Sequence, residues 1–230
     1  MNAIILVAGM GTRISEISKD SHKALLPIDN KPNIERTIEY LKEYGVNDIV
    51  LVTGHNGHLF EYLKDKYGCK LIYNEHYKDY NNMYSFYKAY EFFGDSLVID
   101  GDVVFFKNIF VNSDTSLYYT TLRDKGNKGE WIPITDENAE VKRIDVGVEN
   151  RPSMLGVSFW TALDAKLIKE ELKNHLTEEY LNNPKLYWDD IPRKLLGKIK
   201  VKTHFVDSKY VAEIDTSSDY KFIKKTIEKQ

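Results

Sequence analysis

Ala3-Ile-Ile-Leu-Val-Ala-Gly-Met-Gly-Thr-Arg13 is the stretch on which the fold turns. It opens as a short, unbroken apolar run rich in β-branched side chains. That is the pattern of a strand buried on both faces, and such strands belong to parallel sheets. Gly9 and Gly11 break the run. Downstream, Pro32 to Tyr44 reads as a helix with Ile34, Ile38 and Leu41 on one face and Gly45 as its stop. Strands are expected at Asp48–Thr53, Lys70–Tyr73 and Ser96–Asp100, and helices near Leu59–Tyr67 and Asn82–Phe93. This alternation predicts right-handed crossovers and an α/β, doubly wound, mostly parallel sheet.

Past residue 110 the texture changes to a β-rich half. Strands are expected at Leu117–Leu122, Glu130–Ile134, Val141–Val146, Met154–Trp160, Lys198–Val206 and Tyr210–Ile214. Turn-forming stretches such as Lys125-Gly-Asn-Lys-Gly129 separate them. Helices are expected near Leu163–Leu176 and Asp189–Leu196, with a closing helix at Ser217–Glu228. No repeat, low-complexity tract or linker divides the chain, so residues 1–230 are expected to form a single domain.

Composition narrows the function. The 230 residues carry 32 basic and 35 acidic side chains, a net charge of −3, with no block of like charge. A duplex-binding surface needs concentrated basic charge, so nucleic acid is not an expected partner. No apolar run approaches the ~18 residues of a membrane span. The N-terminus lacks the basic flank of a secretory signal, and a lone cysteine, Cys69, suits a reducing compartment. The expectation is a cytoplasmic protein that spans no membrane, with small-molecule partners and an oligomeric state the sequence leaves open.

In open α/β sheets ligands sit beyond the carboxyl ends of the strands. The turn after the first strand is neither Gly-x-Gly-x-x-Gly nor a Walker A loop. Its two glycines beside Ala8 let backbone N–H groups approach a ligand, and Arg13 and Lys23 add cations suited to phosphate. The same residues also suit a tight turn with two solvated cations. Asp100 and Asp102 end the fourth strand, where i and i+2 share a face and hard oxygen ligands suit Mg²⁺; strand-end aspartates equally serve as turn formers. His55 and His58 read as surface residues.

The stretch through Arg13, then Lys23-Ala-Leu-Leu-Pro-Ile28 and Lys31-Pro32, resembles the signature of the sugar-phosphate nucleotidyltransferases. His22 stands where many members have proline, and Ile14-Ser-Glu-Ile-Ser18 replaces a commoner Leu-x-Pro-Leu-Thr. The resemblance implies a Rossmann-like fold in which residues 1–110 form the nucleotide-binding half and 111–230 the acceptor-binding half. It implies that Leu6, Ala8, Gly9, Met10, Gly11 and Thr12 wrap a nucleoside triphosphate and that Arg13 and Lys23 hold its phosphates for catalysis. It also implies Mg²⁺ on Asp102 and Asp215, with Asp100 supporting. A phosphate monoester is already an anionic nucleophile, so no general base is needed. Cations and positioning then carry the chemistry.

The acceptor is read from the second half. Val148-Glu-Asn-Arg-Pro152 is only a loose match to the Val-Glu-Lys-Pro of sugar-phosphate members. Asp79-Tyr-Asn-Asn-Met-Tyr-Ser85, Glu130-Trp131, Val157-Ser-Phe-Trp160, Leu186-Tyr-Trp-Asp-Asp190 and Glu213-Ile-Asp215 are aromatic and acidic clusters. Aromatic faces beside carboxylates hold quaternary ammonium groups, and they also build cores. In order and spacing the clusters resemble bacterial choline-phosphate cytidylyltransferases of the LicC type, over essentially the whole chain. That resemblance implies CTP and phosphocholine, with CDP-choline and pyrophosphate as products. Asn81, Asn82 and Ser85 become candidates for the cytidine side. Trp131, Tyr187, Trp188, Asp189 and Glu213 become candidates for the head group, and Arg123 for the acceptor phosphate. A sugar-1-phosphate nucleotidylyltransferase and a non-catalytic nucleotide binder are the competing readings. Choline, ethanolamine and aminoethylphosphonate are not separable at this level, nor CTP from UTP.

Overall fold

The computed structural model describes residues 1–18, 21–123, 129–147 and 150–227. The 125–128 turn, Val148 and Glu149 of the loose match, and Glu228 of the closing helix lie outside them. In chain order the first half runs β1 (Asn2–Val7), α1 (Ser15–Ser18), β2 (Pro27–Ile28), β3 (Lys31–Pro32), α2 (Asn33–Glu43), β4 (Ile49–Thr53), α3 (Tyr62–Tyr67), β5 (Lys70–Tyr73), α4 (Asn82–Lys88), β6 (Ser96–Asp100) and β7 (Val103–Phe105). The second half runs β8 (Ser116–Thr121), β9 (Glu130–Thr135), β10 (Val141–Gly147), β11 (Ser153–Trp160), α5 (Ala162–Lys173), α6 (Glu178–Leu181), α7 (Asp190–Lys194), β12 (Val201–Val206), β13 (Val211–Glu213) and α8 (Ser217–Ile227).

Seven strands form the central sheet in the order β12-β8-β11-β6-β1-β4-β5. Neighbouring pairs are parallel except where β11 runs against β6 and β8. The mostly parallel α/β architecture therefore holds, with β11 the one reversed strand. Alternation along each strand divides the core between the two faces. Ala3, Ile5 and Val7 of β1 pack with Ile34, Ile38 and Leu41 of α2. Ile4 and Leu6 pack on the opposite side with Met83 and Phe86 of α4 and Ile168 of α5. Burying both faces of β1 is what an all-apolar strand requires. A smaller cluster joins Ile223 of α8 to Ile14, Leu26, Val104 and Ile214, tying the C-terminal helix to the segment around the glycine turn.

Some boundaries move. The expected helix 82–93 stops at Lys88 and tightens into a 3₁₀ turn at Tyr90–Phe92. The strand expected from Lys198 begins at Val201, because Gly197, at φ +92°, starts a turn in which Lys198 and Ile199 donate to the Leu195 carbonyl. Among the described residues no helix is long and apolar enough to cross a membrane.

Candidate active site

At the end of β1 the chain must turn within a few residues. Gly11 takes φ +59°, a left-handed conformation that glycine adopts without strain, and Ile14 N–H closes a 3₁₀ turn on the Gly11 carbonyl at 3.0 Å. Neighbouring strand ends hold the loop in place. His55 N–H donates to the Ala8 carbonyl and Gly101 N–H to the Leu6 carbonyl, each at 3.0 Å. A side chain at position 101 would begin 2.4 Å from Val7 Cγ1, so Gly101 is where β6 and β1 draw together.

His22 takes up the departure from the family pattern. Its Nδ1 accepts from Ala24 N–H at 3.1 Å, which leaves Nε2 to donate to the Gly9 carbonyl at 3.0 Å. Burial pushes this imidazole down to about 4, against the pull of the Gly9 carbonyl, so it is neutral near pH 7. A neutral ring with a fixed tautomer thus pins the glycine turn to the segment that carries Lys23. Sequence reasoning took His22 only as a substitution for proline and missed this role.

The four residues expected at the centre of the site come together in pairs. β13 lies antiparallel to β7 with Glu213 opposite Val103, and Ile214 N–H donates to the Asp102 carbonyl at 2.9 Å. That register carries Asp215, remote in sequence, to the end of the Gly101-Asp102 turn. Lys23 Nζ lies 2.5 Å from Asp102 Oδ2, and an Arg13 guanidinium nitrogen 2.9 Å from Asp215 Oδ1. Gly11, Thr12, Arg13, Ile14, Lys23 and Asp215 line one cleft, with Gly9 and Met10 exposed at the turn and Leu6 and Ala8 buried behind it. Burial alone would lower the Lys23 ammonium. The charge and hydrogen bond of Asp102, with Asp215 and Asp100 around them, overcome it and raise the group, so Lys23 is a fixed cation.

Asp100 lies among these charges. Burial, then the charges of Asp102 and Asp189, hold its carboxyl well above the usual range. It fits because position 156 of β11 is glycine: a β-carbon there would start 2.9 Å from Asp100 Oδ2. As a donor set, Asp102 and Asp215 offer hard carboxylate oxygens at the cleft. Among the described residues no third acidic or histidine side chain joins them to make a larger metal-binding group. Two carboxylates, with substrate phosphates and water completing the shell, is the set Mg²⁺ prefers, so the residues fit the ion.

The acceptor-side residues are distributed more unevenly. Trp131 of β9 meets Tyr187 edge to face, with ring centroids 6.2 Å apart, and the Arg193 guanidinium lies 5.2 Å from the Trp131 ring centre. Asp189 precedes α7, and burial, with Asp190 beside it, pushes its carboxyl up to about 8. Glu213 also reaches about 8: burial raises it, Arg123 opposes, and Asp102, Asp215 and Glu130 add to the rise.

Four expectations are revised by the contacts. Trp188 is 2% exposed, stacked on Phe86 at 4.5 Å and set edge to face against Trp160, so it belongs to the core. Arg123 is engaged by its own protein, its two terminal nitrogens donating to Glu130, Ser153 Oγ, the Met154 carbonyl and Glu213, so in this structure it braces Glu213. Asn81 caps α4 through its Oδ1 and gives its amide hydrogens to the Tyr180 and Asn183 carbonyls. The Ser85 hydroxyl, 5% exposed, accepts from Asn74. In this structure Asn81 and Ser85 spend these groups on fixing α4 in place. The Asn82 Oδ1 accepts Trp188 N–H at 2.9 Å, which joins the start of α4 to the segment bearing Tyr187 and Asp189.

The Asp189 shift has a consequence for stability. A carboxyl raised above its unfolded value favours the folded state fully below about pH 4, and that benefit is lost as pH climbs toward 8. Melting temperature is therefore expected to fall between pH 5 and pH 8. Asp189→Asn is expected to flatten that slope in a pH series of thermal melts, and an unchanged slope would show that Asp189 is already ionised at neutral pH.

Three comparisons bear on this site. Residues 3–126 match the model of the MobA-like NTP transferase domain. The chain is 47% identical over 224 residues to the choline-phosphate cytidylyltransferase of Haemophilus influenzae, covering 97% of this chain and 96% of that one. It is 36% identical to the Streptococcus pneumoniae enzyme of the same name, over the full length of both. A 2-aminoethylphosphonate cytidylyltransferase of Lancefieldella rimae is 29% identical over 95% of this chain and 89% of its own. The solved structure of the Streptococcus pneumoniae CTP:phosphocholine cytidylyltransferase LicC superposes with a TM-score of 0.91 over 97% of both chains. An inositol-1-phosphate CTP transferase of Thermotoga maritima, 19% identical, shares the fold at a TM-score of 0.74, covering 99% of this chain and 96% of its own.

Proposed function

This chain belongs to the choline-phosphate cytidylyltransferases within the MobA-like NTP transferases, and from that premise we propose that it transfers CMP from CTP to phosphocholine, releasing pyrophosphate. The observation that carries the proposal is the pairing of both turn cations with both remote aspartates, Lys23 on Asp102 and Arg13 on Asp215 across 202 positions of sequence. A triphosphate entering this cleft meets two cations and the backbone of a glycine turn, which is how proteins cradle phosphates.

The chemistry then follows from charge. The acceptor's phosphate oxygen is already anionic and attacks the α-phosphorus, while the bond to the β-phosphate oxygen breaks and pyrophosphate leaves with that electron pair. No proton has to be removed, which accords with a site built from cations and carboxylates. Lys23, half-buried, offers its charge where the dielectric is lower than at the rim, and Arg13 offers a fork of donors to oxygens nearer solvent. Asp102 and Asp215 are the residues that would hold Mg²⁺, which when bound offsets phosphate charge and fixes the line of attack. His22 keeps the glycine turn at the distance these contacts require.

The choline assignment draws on Trp131 and Tyr187 beside Asp189 and Glu213. The Trp131 ring already has a protein cation over it, Arg193, so its position is suited to cation–π contact. The test is pyrophosphate release with CTP against phosphocholine, phosphoethanolamine, 2-aminoethylphosphonate and hexose 1-phosphates. Turnover of phosphocholine with kcat/KM at least tenfold above the others is expected. Preference for a hexose 1-phosphate would overturn the amino-alcohol reading, and nucleotide binding without turnover of any acceptor would favour a non-catalytic role.

A further inference from the structure

Past β4 the chain continues Gly54-His55-Asn56, and this tripeptide reaches both ends of the stretch that carries the glycine turn. Ala8 and Ser21 bracket that stretch, which includes Gly9, Gly11, Thr12 and Arg13. His55 N–H donates to the Ala8 carbonyl at 3.0 Å, and the Asn56 side-chain amide donates to the Ser21 carbonyl at 2.7 Å. Two consecutive residues therefore hold the two ends. Gly54 allows the close approach: a β-carbon there would begin 2.7 Å from the Ala8 carbonyl oxygen and 2.6 Å from Tyr77 Cβ. Asn56 lies at φ +52°, a left-handed conformation that asparagine tolerates better than most residues. It stands immediately before a 3₁₀ turn at Gly57–Phe60, which sets the buried Phe60 edge to face against the His22 ring at 5.1 Å.

We infer that Asn56 is a positioning residue for Lys23. This rests on the triphosphate reading of the cleft and not on the choice of acceptor. Ser21, His22 and Lys23 are consecutive, and each is held by a different contact: Ser21 by the Asn56 amide, His22 by the Gly9 carbonyl, Lys23 by Asp102 at 2.5 Å. The ammonium is a point charge on a flexible stem, so it stands at a defined place only when the backbone beneath it is fixed. His22 ties that backbone to the glycine turn, which is itself a loop. Asn56 ties it to the end of β4, whose five residues are all buried and which pairs with β1 and β5. Asp102 follows β6 of the same sheet, so the Asn56 bond sets cation and carboxylate in one frame. Without the amide the protein still folds, but the Lys23 segment is in register with the cleft in only a fraction of molecules. The apparent dissociation constant of a triphosphate then rises by the inverse of that fraction.

The test is Asn56→Gly, alone and combined with Lys23→Met. Glycine takes φ +52° without strain, so the substitution removes the amide and keeps the turn. Calorimetric titration with CTP in Mg²⁺ buffer, at a temperature where all four proteins are folded, is expected to give a Kd about fivefold weaker for Asn56→Gly than for wild type, the scale of one hydrogen bond. In the Lys23→Met background the same change is expected to cost less than about twofold, because no cation remains to be placed. KM for phosphocholine is expected to stay within about twofold. An equal loss of CTP affinity in both backgrounds would make Asn56 a general brace of the loop and overturn the inference. So would an unchanged Kd for Asn56→Gly, or a parallel rise in KM for phosphocholine. If wild type binds CTP but turns over no acceptor, the functional reading fails while the four CTP affinities still decide the inference. If wild type binds no CTP, both fail.

Discussion

Asp102→Asn is expected to lower kcat by about a thousandfold while the protein stays folded. The substitution is isosteric and removes only charge. Loss of one preorganised electrostatic group in a transfer site costs about a hundredfold to a thousandfold. Asp102 sits at the upper end because it does two things: it fixes the Lys23 ammonium at 2.5 Å and is one of the two carboxylates that fit a divalent cation. Stability changes little because two effects oppose. Lys23 loses its nearest counter-charge, which is unfavourable for a half-buried cation. Asp100 and Glu213, each pushed up in part by the charge of Asp102, lose a repulsive neighbour. The melting temperature is therefore expected within a few degrees of wild type. Pyrophosphate release and thermal melts together decide the matter, and activity within tenfold of wild type at unchanged stability would remove Asp102 from the catalytic machinery.

What the sequence makes legible here is whatever depends on local pattern. β1, β4 and β6 are short apolar runs between turn formers, and each is a central strand. Gly45 stands just past the end of α2 at φ +96°, in the stop role its position suggested. The four charged residues of the cleft were recoverable because they lie in motifs, even though Arg13 and Asp215 are 202 positions apart. Two kinds of feature were not recoverable. Short elements carry too few residues for a period to show: the β2–β3 hairpin has two residues a side, and its only signal is Asp29-Asn30, both at positive φ, as a tight two-residue turn requires. The facing of an aromatic or polar side chain within a motif is set by tertiary packing. Trp131 and Trp188 look alike as text, yet one meets Tyr187 and Arg193 and the other is buried against Phe86. Arg123 reads as a free cation until Glu130 and Glu213 arrive from two other strands. The reversed direction of β11 likewise has no sequence mark.

Lys23→Met is expected to cut kcat/KM by about a hundredfold to a thousandfold, and Arg13→Gln by only about tenfold, although both are cations of the same cleft. The difference lies in exposure. The Lys23 side chain is 19% exposed and that of Arg13 60%. Charge acting through the half-buried edge of the sheet is screened less than charge at the rim, so the same unit of charge does more for the transition state. Lys23→Met has a structural cost that Arg13→Gln lacks. Removing the ammonium leaves Asp100, Asp102 and Asp215, all of which it attracts, to repel one another. A stability loss of about 1–3 kcal/mol follows, the scale of coupling between charges in one network. The double variant Lys23→Met, Asp102→Asn should recover much of that stability and none of the activity. If stability and activity instead returned together, the Lys23–Asp102 contact would be a structural brace; recovery of stability alone identifies it as a charge pair held for the phosphates that displace it.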